Sequence, residues 1–162
     1  MNRPTGRRKD QIEDLYLKEN WPLACAFLGR IRKMLCQISK MEAQLDNQRM
    51  LRSSKTSQLT GMPRSDSPDL QRDQTRTVEI DEMKERIDEA WEWIEIWKSE
   101  IGEIISTIDD PISQRVLILH FVQNKTWLDT ASEVGYSPKS MRRFRDAGLA
   151  QLEEMLKMDN ED

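Results

Sequence analysis

The sequence predicts an all-α protein: a long antiparallel, coiled-coil-like helical hairpin followed by a three-helix helix-turn-helix module. Three observations lead there. Glycine and proline number 6 each in 162 residues while charged residues make up 33%, a composition that favours long helices. Apolar residues recur at spacings of three and four along two stretches, the period of a heptad seam and not the period of two that a strand requires. The last third is divided by single prolines and glycines, the punctuation of short helices joined by tight turns. Only 37% of residues are hydrophobic, so stability is expected to come from a narrow seam.

Taken in order, residues 9–19 form a short charged helix. It ends at Trp21-Pro22, because a residue before proline is pushed out of the helical region, and Pro22 opens the next helix. From there Ala24, Phe27, Ile31, Met34, Ile38, Met41 and Leu45 are spaced alternately by three and four. The stretch SSKTSQLTGMPRSDSPDLQRDQTR lacks any apolar period and reads as a loop near 56–76. The pattern resumes with Ile80, Met83, Ile87, Ala90, Ile94, Trp97, Ile101, Ile104 and Ile108. Two such helices bury both seams by folding back on each other, and the same seam also fits pairing with a second copy as a homodimer. Trp91, Trp93, Ile96 and Ile105 widen the apolar surface beside it.

Asp110 is placed as the N-cap and Pro111 as the first residue of the next helix. The apolar PISQRVLILHFVQ breaks at Asn124-Lys125. TWLDTASEV makes a short helix ended by Gly135, and Ser137-Pro138 opens the last one. The expected domains are therefore 1–108, the hairpin, and 109–158, the helix-turn-helix. Within the latter, Leu128, Ala131 and Val134 are expected to face inward from the first helix, and Met141, Phe144 and Leu149 from the second. That leaves Lys139, Ser140, Arg142, Arg143 and Asp146 on or near the outward side, where the start of such a helix enters the major groove. Thr126, Lys125 and Arg115, near the ends of neighbouring helices, are candidates for phosphate contact. A solvated basic face or a protein-binding trihelical unit carries the same pattern.

Charge is unevenly spread. Residues 1–76 hold 15 Lys/Arg against 9 Asp/Glu, residues 77–110 hold 3 against 12, and residues 111–157 hold 7 against 5. The formal net charge of −4 does not exclude nucleic acid, since one face can bind DNA on an acidic protein. The acidic helix is a solvated face, a DNA mimic or a dock for a basic partner. Arg52, Lys55, Arg64, Arg72 and Arg76 form a second phosphate patch or keep the hairpin tip soluble.

Chemistry beyond binding finds little support. His120 is the sole histidine and sits in an apolar helix as a partly buried structural residue, which argues against a zinc cluster or a catalytic triad. There is no Gly-rich phosphate loop and no CxxC pair, so no catalysis, no metal and no cofactor are expected. Cys25 and Cys36, eleven residues apart on one helix, lie about 16 Å from each other, too far for a disulfide. No apolar run is long enough to span a bilayer and the basic start leads into charged residues, so a cytoplasmic protein without a membrane partner is expected.

The stretch WLDTASEVGYSPKSMRRFRDAGLAQLEEM resembles the DNA-reading region 4 of bacterial sigma factors. With the preceding TGMPRSDSP loop and acidic helix, residues 59–156 are similar to phage late-gene transcription regulators of the ArpU/RinA type. The resemblance implies a sequence-specific regulator in a bacterial host cell, double-stranded DNA and host RNA polymerase as partners, and a recognition helix over 138–156. It carries Ser137, Lys139, Ser140, Arg142 and Arg143 to the start of that helix. The chain departs from the family pattern at Thr130, where isoleucine is usual, at His120-Phe121, where Arg-Tyr is common, and at Gly148, which replaces alanine inside a helix at a propensity cost of about 1 kcal/mol. A packaging-related DNA-recognition protein and a coiled-coil adaptor that binds only protein remain as alternatives.

Overall fold

The structure, a computed structural model, describes residues 6–56 and 68–161. It is all-α, without a strand among the described residues. The helices are α1 (Gly6–Asn20), α2 (Pro22–Leu28), α3 (Arg30–Thr56), α4 (Pro68–Ser106), α5 (Pro111–Leu117), α6 (Trp127–Val134) and α7 (Pro138–Glu161), with a π-helical segment at Ile118–Val122. No described helix is long and apolar enough to cross a membrane.

Two boundaries differ from the sequence expectation. Helix α4 begins at Pro68, so 68–76 is helix and not loop. Its polar first turns need no apolar seam, since Gln and Arg are good helix formers and the Thr75 and Thr77 hydroxyls donate to the Gln71 and Asp73 carbonyls at 2.8 and 2.9 Å. The TGMPR segment and Arg64 lie outside the described residues. At the other end, the run opened by Pro22 is interrupted at Gly29. A Cβ there would stand 2.7 Å from the Cys25 carbonyl oxygen, and its absence lets the chain tighten between α2 and α3.

The chain forms two compact units, residues 34–95 and residues 1–33 with 96–162, which do not follow the expected 1–108 and 109–158 division. In the first, the described parts of α3 and α4 bury Ile38, Leu45, Ile80, Ile87, Ala90 and Ile94. All six are heptad positions, as a helical hairpin requires. Trp91 and Trp93 on the flank remain exposed.

In the second unit α7 packs against α5 and α2, α6 against α7 and α5, and α1 against α2. The core combines Leu28, Ile105, Val116, Leu117, Leu149 and Leu152. Asp110 caps α5, accepting from the Ser113 amide at 3.1 Å and its hydroxyl at 2.8 Å; the Ser113 side-chain bond, ahead of the backbone bonds, holds its carboxyl below the usual range. At the opposite end of the module Glu153, itself buried, accepts from the Leu23 and Ala24 amides at 3.3 and 2.7 Å. A carboxylate of α7 thus serves the free amides that begin α2. Cys25, next to it, is buried, and burial pushes its thiol up to about 11; it packs as an uncharged side chain.

Gly148 is a packing requirement and not a defect of the last helix. A Cβ there would meet Leu117 Cδ1 at 3.0 Å and Ser113 Cβ at 3.3 Å, and both neighbours are fully enclosed. Gly148→Ala should therefore lower stability by about 1 kcal/mol despite the better helix propensity of alanine, because overpacking outweighs it. Urea unfolding of the two chains measures the difference, and a stabilised variant would contradict the close approach of α5 and α7.

A candidate nucleic-acid interface on α6 and α7

The turn between α6 and α7 is built by local chemistry. Thr126 caps α6, accepting from the Asp129 amide at 3.2 Å. Gly135 adopts the left-handed conformation at φ 76°, a backbone that a side chain would strain. The Tyr136 amide then donates to the Ala131 carbonyl at 3.1 Å and the Gly135 amide to Ser132 at 3.3 Å, closing the helix end. Ser137 caps α7, accepting from the Ser140 amide at 3.2 Å, and Pro138 fills the first helical position. Thr126 and Ser137 are thus occupied as caps.

The inward face of α6 differs from expectation. Ala131 is buried and Val134 half-buried as expected, but Leu128 is 70% exposed, and Trp127 and Thr130 fill the inward face in its place. Thr130 is accommodated because its hydroxyl donates to the Thr126 carbonyl at 2.8 Å. On α7, Met141 and Leu149 are buried as expected, and Phe144, half-buried, packs on Tyr136 at 5.0 Å between ring centroids.

On the outward face Lys139 and Arg143 are exposed, four residues apart and so on one stripe of the helix. Neither forms an ion pair among the described residues. Ser140 lies half-buried beside them. Arg142 is exposed too, but its guanidinium donates to Glu13 of α1. Lys125 is paired with Glu133 at 2.6 Å, and Arg115 is exposed on α5.

Sequence reasoning missed Arg145. Only 3% of its side chain is exposed, and it binds Glu13 at 3.1 Å and Asp146 at 2.9 Å. Its guanidinium carbon lies 4.9 Å from the centre of the Trp127 ring, which stacks on His120 at 3.4 Å. His120 in turn donates from Nδ1 to the Lys125 carbonyl at 2.7 Å. Arg32, 3.4 Å from the same Nδ1, bonds Asn124 Oδ1 at 3.0 Å and pairs with Asp14 at 3.6 Å. A chain of contacts thus runs from α1 through α7, α6 and the π-helical segment to the start of α3 and back to α1. Three consecutive residues of that segment, Leu119, His120 and Phe121, are buried, which the wide π turn permits. The one sequence signal for Arg145 was its helical phase between Met141 and Leu149.

His120 is fully buried, more so than the sequence implied, and its Nε2 has no hydrogen-bond partner among the described residues. Burial, and then the Arg32 charge, push its pKa down to about 3, against about 6.5 in an unfolded chain. Between these values the unfolded state binds a proton that the folded state refuses, so stability is complete above about pH 6.5 and falls as the pH drops. Moving from pH 7 to pH 5 should cost about 2 kcal/mol through this residue. Urea unfolding at both pH values checks it: His120→Gln should lose that part of the pH dependence.

Comparison with protein-family models, with curated proteins and with solved structures found no match.

Proposed function

We propose that this protein binds double-stranded DNA through α7, with residues 138–143 in the major groove, and that it acts as a sequence-specific transcriptional regulator of phage or prophage late genes in the bacterial cytoplasm. The observation that carries the binding reading is the Lys139–Arg143 pair: two exposed cations on one stripe of a helix start, held out by the left-handed Gly135 turn and without an acidic partner among the described residues. Cations so placed suit guanine edges and phosphates. The regulatory role, with RNA polymerase as a further partner, rests on the resemblance of residues 59–156 to the ArpU/RinA type.

A protein-only adaptor is favoured by a different observation. Ile12, Leu15 and Tyr16 form an exposed apolar stripe on α1, a surface that suits another protein better than a phosphate backbone. The two readings separate on DNA.

Fluorescence anisotropy with duplex DNA should show binding that weakens steeply with salt. The double variant Lys139→Ala, Arg143→Ala should lose at least about tenfold in affinity. An unchanged affinity with helicity intact would reject the α7 interface, and absence of salt-dependent binding by the parent chain would favour the adaptor. Selection of bound sites from random DNA then distinguishes a promoter reader from a packaging-related one.

A further inference from the structure

Helix α1 carries three half-buried carboxylates within two helical turns, Asp10, Glu13 and Asp14, of which Asp14 pairs with Arg32 and Glu13 with α7. Glu13 is the central one. It is 21% exposed and divides its two oxygens between two arginines of α7: Oε2 meets the buried Arg145, Oε1 meets Arg142, whose side chain is 49% exposed. These bonds do different work. Arg145 has no access to water and needs a counter-charge to be buried at all. Arg142 reaches solvent, needs no such partner, and stands one residue from Arg143.

A carboxylate in contact with Arg142 cancels its charge towards anything approaching from outside. A phosphate drawn to Lys139 and Arg143 would meet at Arg142 an ion pair in place of a cation. The exposed oxygen is also the easier one to displace, because a half-exposed ion pair is weak, whereas breaking a buried pair leaves an uncompensated charge away from water.

We propose that Glu13 belongs to the DNA-binding surface as the residue that sets its charge: in the free protein it masks Arg142, and a DNA phosphate takes its place there while Glu13 keeps its bond to Arg145. The inference rests on the DNA-binding reading and adds to it a residue of α1 that holds back the affinity of the free protein.

The test compares binding of a random-sequence DNA duplex by the full-length parent and by Glu13→Gln, whose amide oxygen still accepts from Arg145 but carries no charge. The variant should bind about two- to fivefold more tightly, the factor worth of a half-exposed ion pair, with a salt dependence steeper by up to about one. In an Arg142→Ala background the same substitution should change nothing. Should Glu13→Gln melt early, Arg142→Ala in the parent decides, because a masked arginine costs less to remove than Arg143. An unchanged or weaker affinity of a folded Glu13→Gln chain, or an Arg142→Ala loss as large as that of Arg143→Ala, overturns the masking role while leaving DNA binding in place. A parent chain that fails to bind the duplex removes both.

Discussion

A guanidinium that water cannot reach must be neutralised and hydrogen-bonded by its surroundings, and the helix-turn-helix is arranged around one. Arg145 sits on the inner face of α7, between Met141 and Leu149, where an aliphatic residue would have packed without further demands. Its burial draws in Glu13 from α1 and Asp146 from its own helix and sets the charge close to the Trp127 ring. That ring in turn stacks on His120, whose neutral form donates to the Lys125 carbonyl. Satisfying this cation ties α7, the helix that carries Lys139 and Arg143, to α1 and α6. Buried ion pairs contribute little net stability but penalise every arrangement that leaves a partner unmatched.

Glu153 is the counterpart at the other end of α7. It too is buried, and its partners are the Leu23 and Ala24 amides of α2. Both buried charges of the last helix therefore have partners on the N-terminal helices, Arg145 on α1 and Glu153 on α2. For this reason α1 and α2 belong to the compact unit that holds the DNA-reading candidates. A helix-turn-helix cut at residue 109 would lose the amides that Glu153 accepts from and one of the two carboxylates paired with Arg145.

What could be read from the sequence was what local chemistry decides. The heptad positions from Ile80 to Ile101 are all buried or half-buried, as the period alone predicts without knowledge of the partner. Asp110, Ser137 and Gly135 occupy their helix ends because capping involves residues within a few positions. The rest depended on partners far away in the chain. Arg145 and Glu153 lie at inward phases of α7, but their charges point to the surface, and only Glu13 and the start of α2, 132 and 129 residues distant, make them interior. Gly148 looked like a weak point until Leu117 and Ser113 came against it. The place of Trp127 in the core instead of Leu128 was invisible for the same reason, since the ring's neighbours are His120 and Arg145. Residues 68–76 were misread because a polar helix has no apolar signature.

The distance between Glu13 and Arg145 also bears on the order in which the molecule is made. Residues 34–95 form one compact unit, whereas the unit containing α7 joins the last helices to the first ones. During synthesis α1 and α2 emerge well before α7, so the Leu23 and Ala24 amides and the Glu13 carboxylate can meet their α7 partners only after more than a hundred further residues. Long loops make such closure slow. The hairpin segment between them can form meanwhile, so the loop to be closed is already shortened by a folded insert when α7 arrives. The candidate surface on α7 thus reaches its full set of contacts only when that helix meets α1, which carries Glu13.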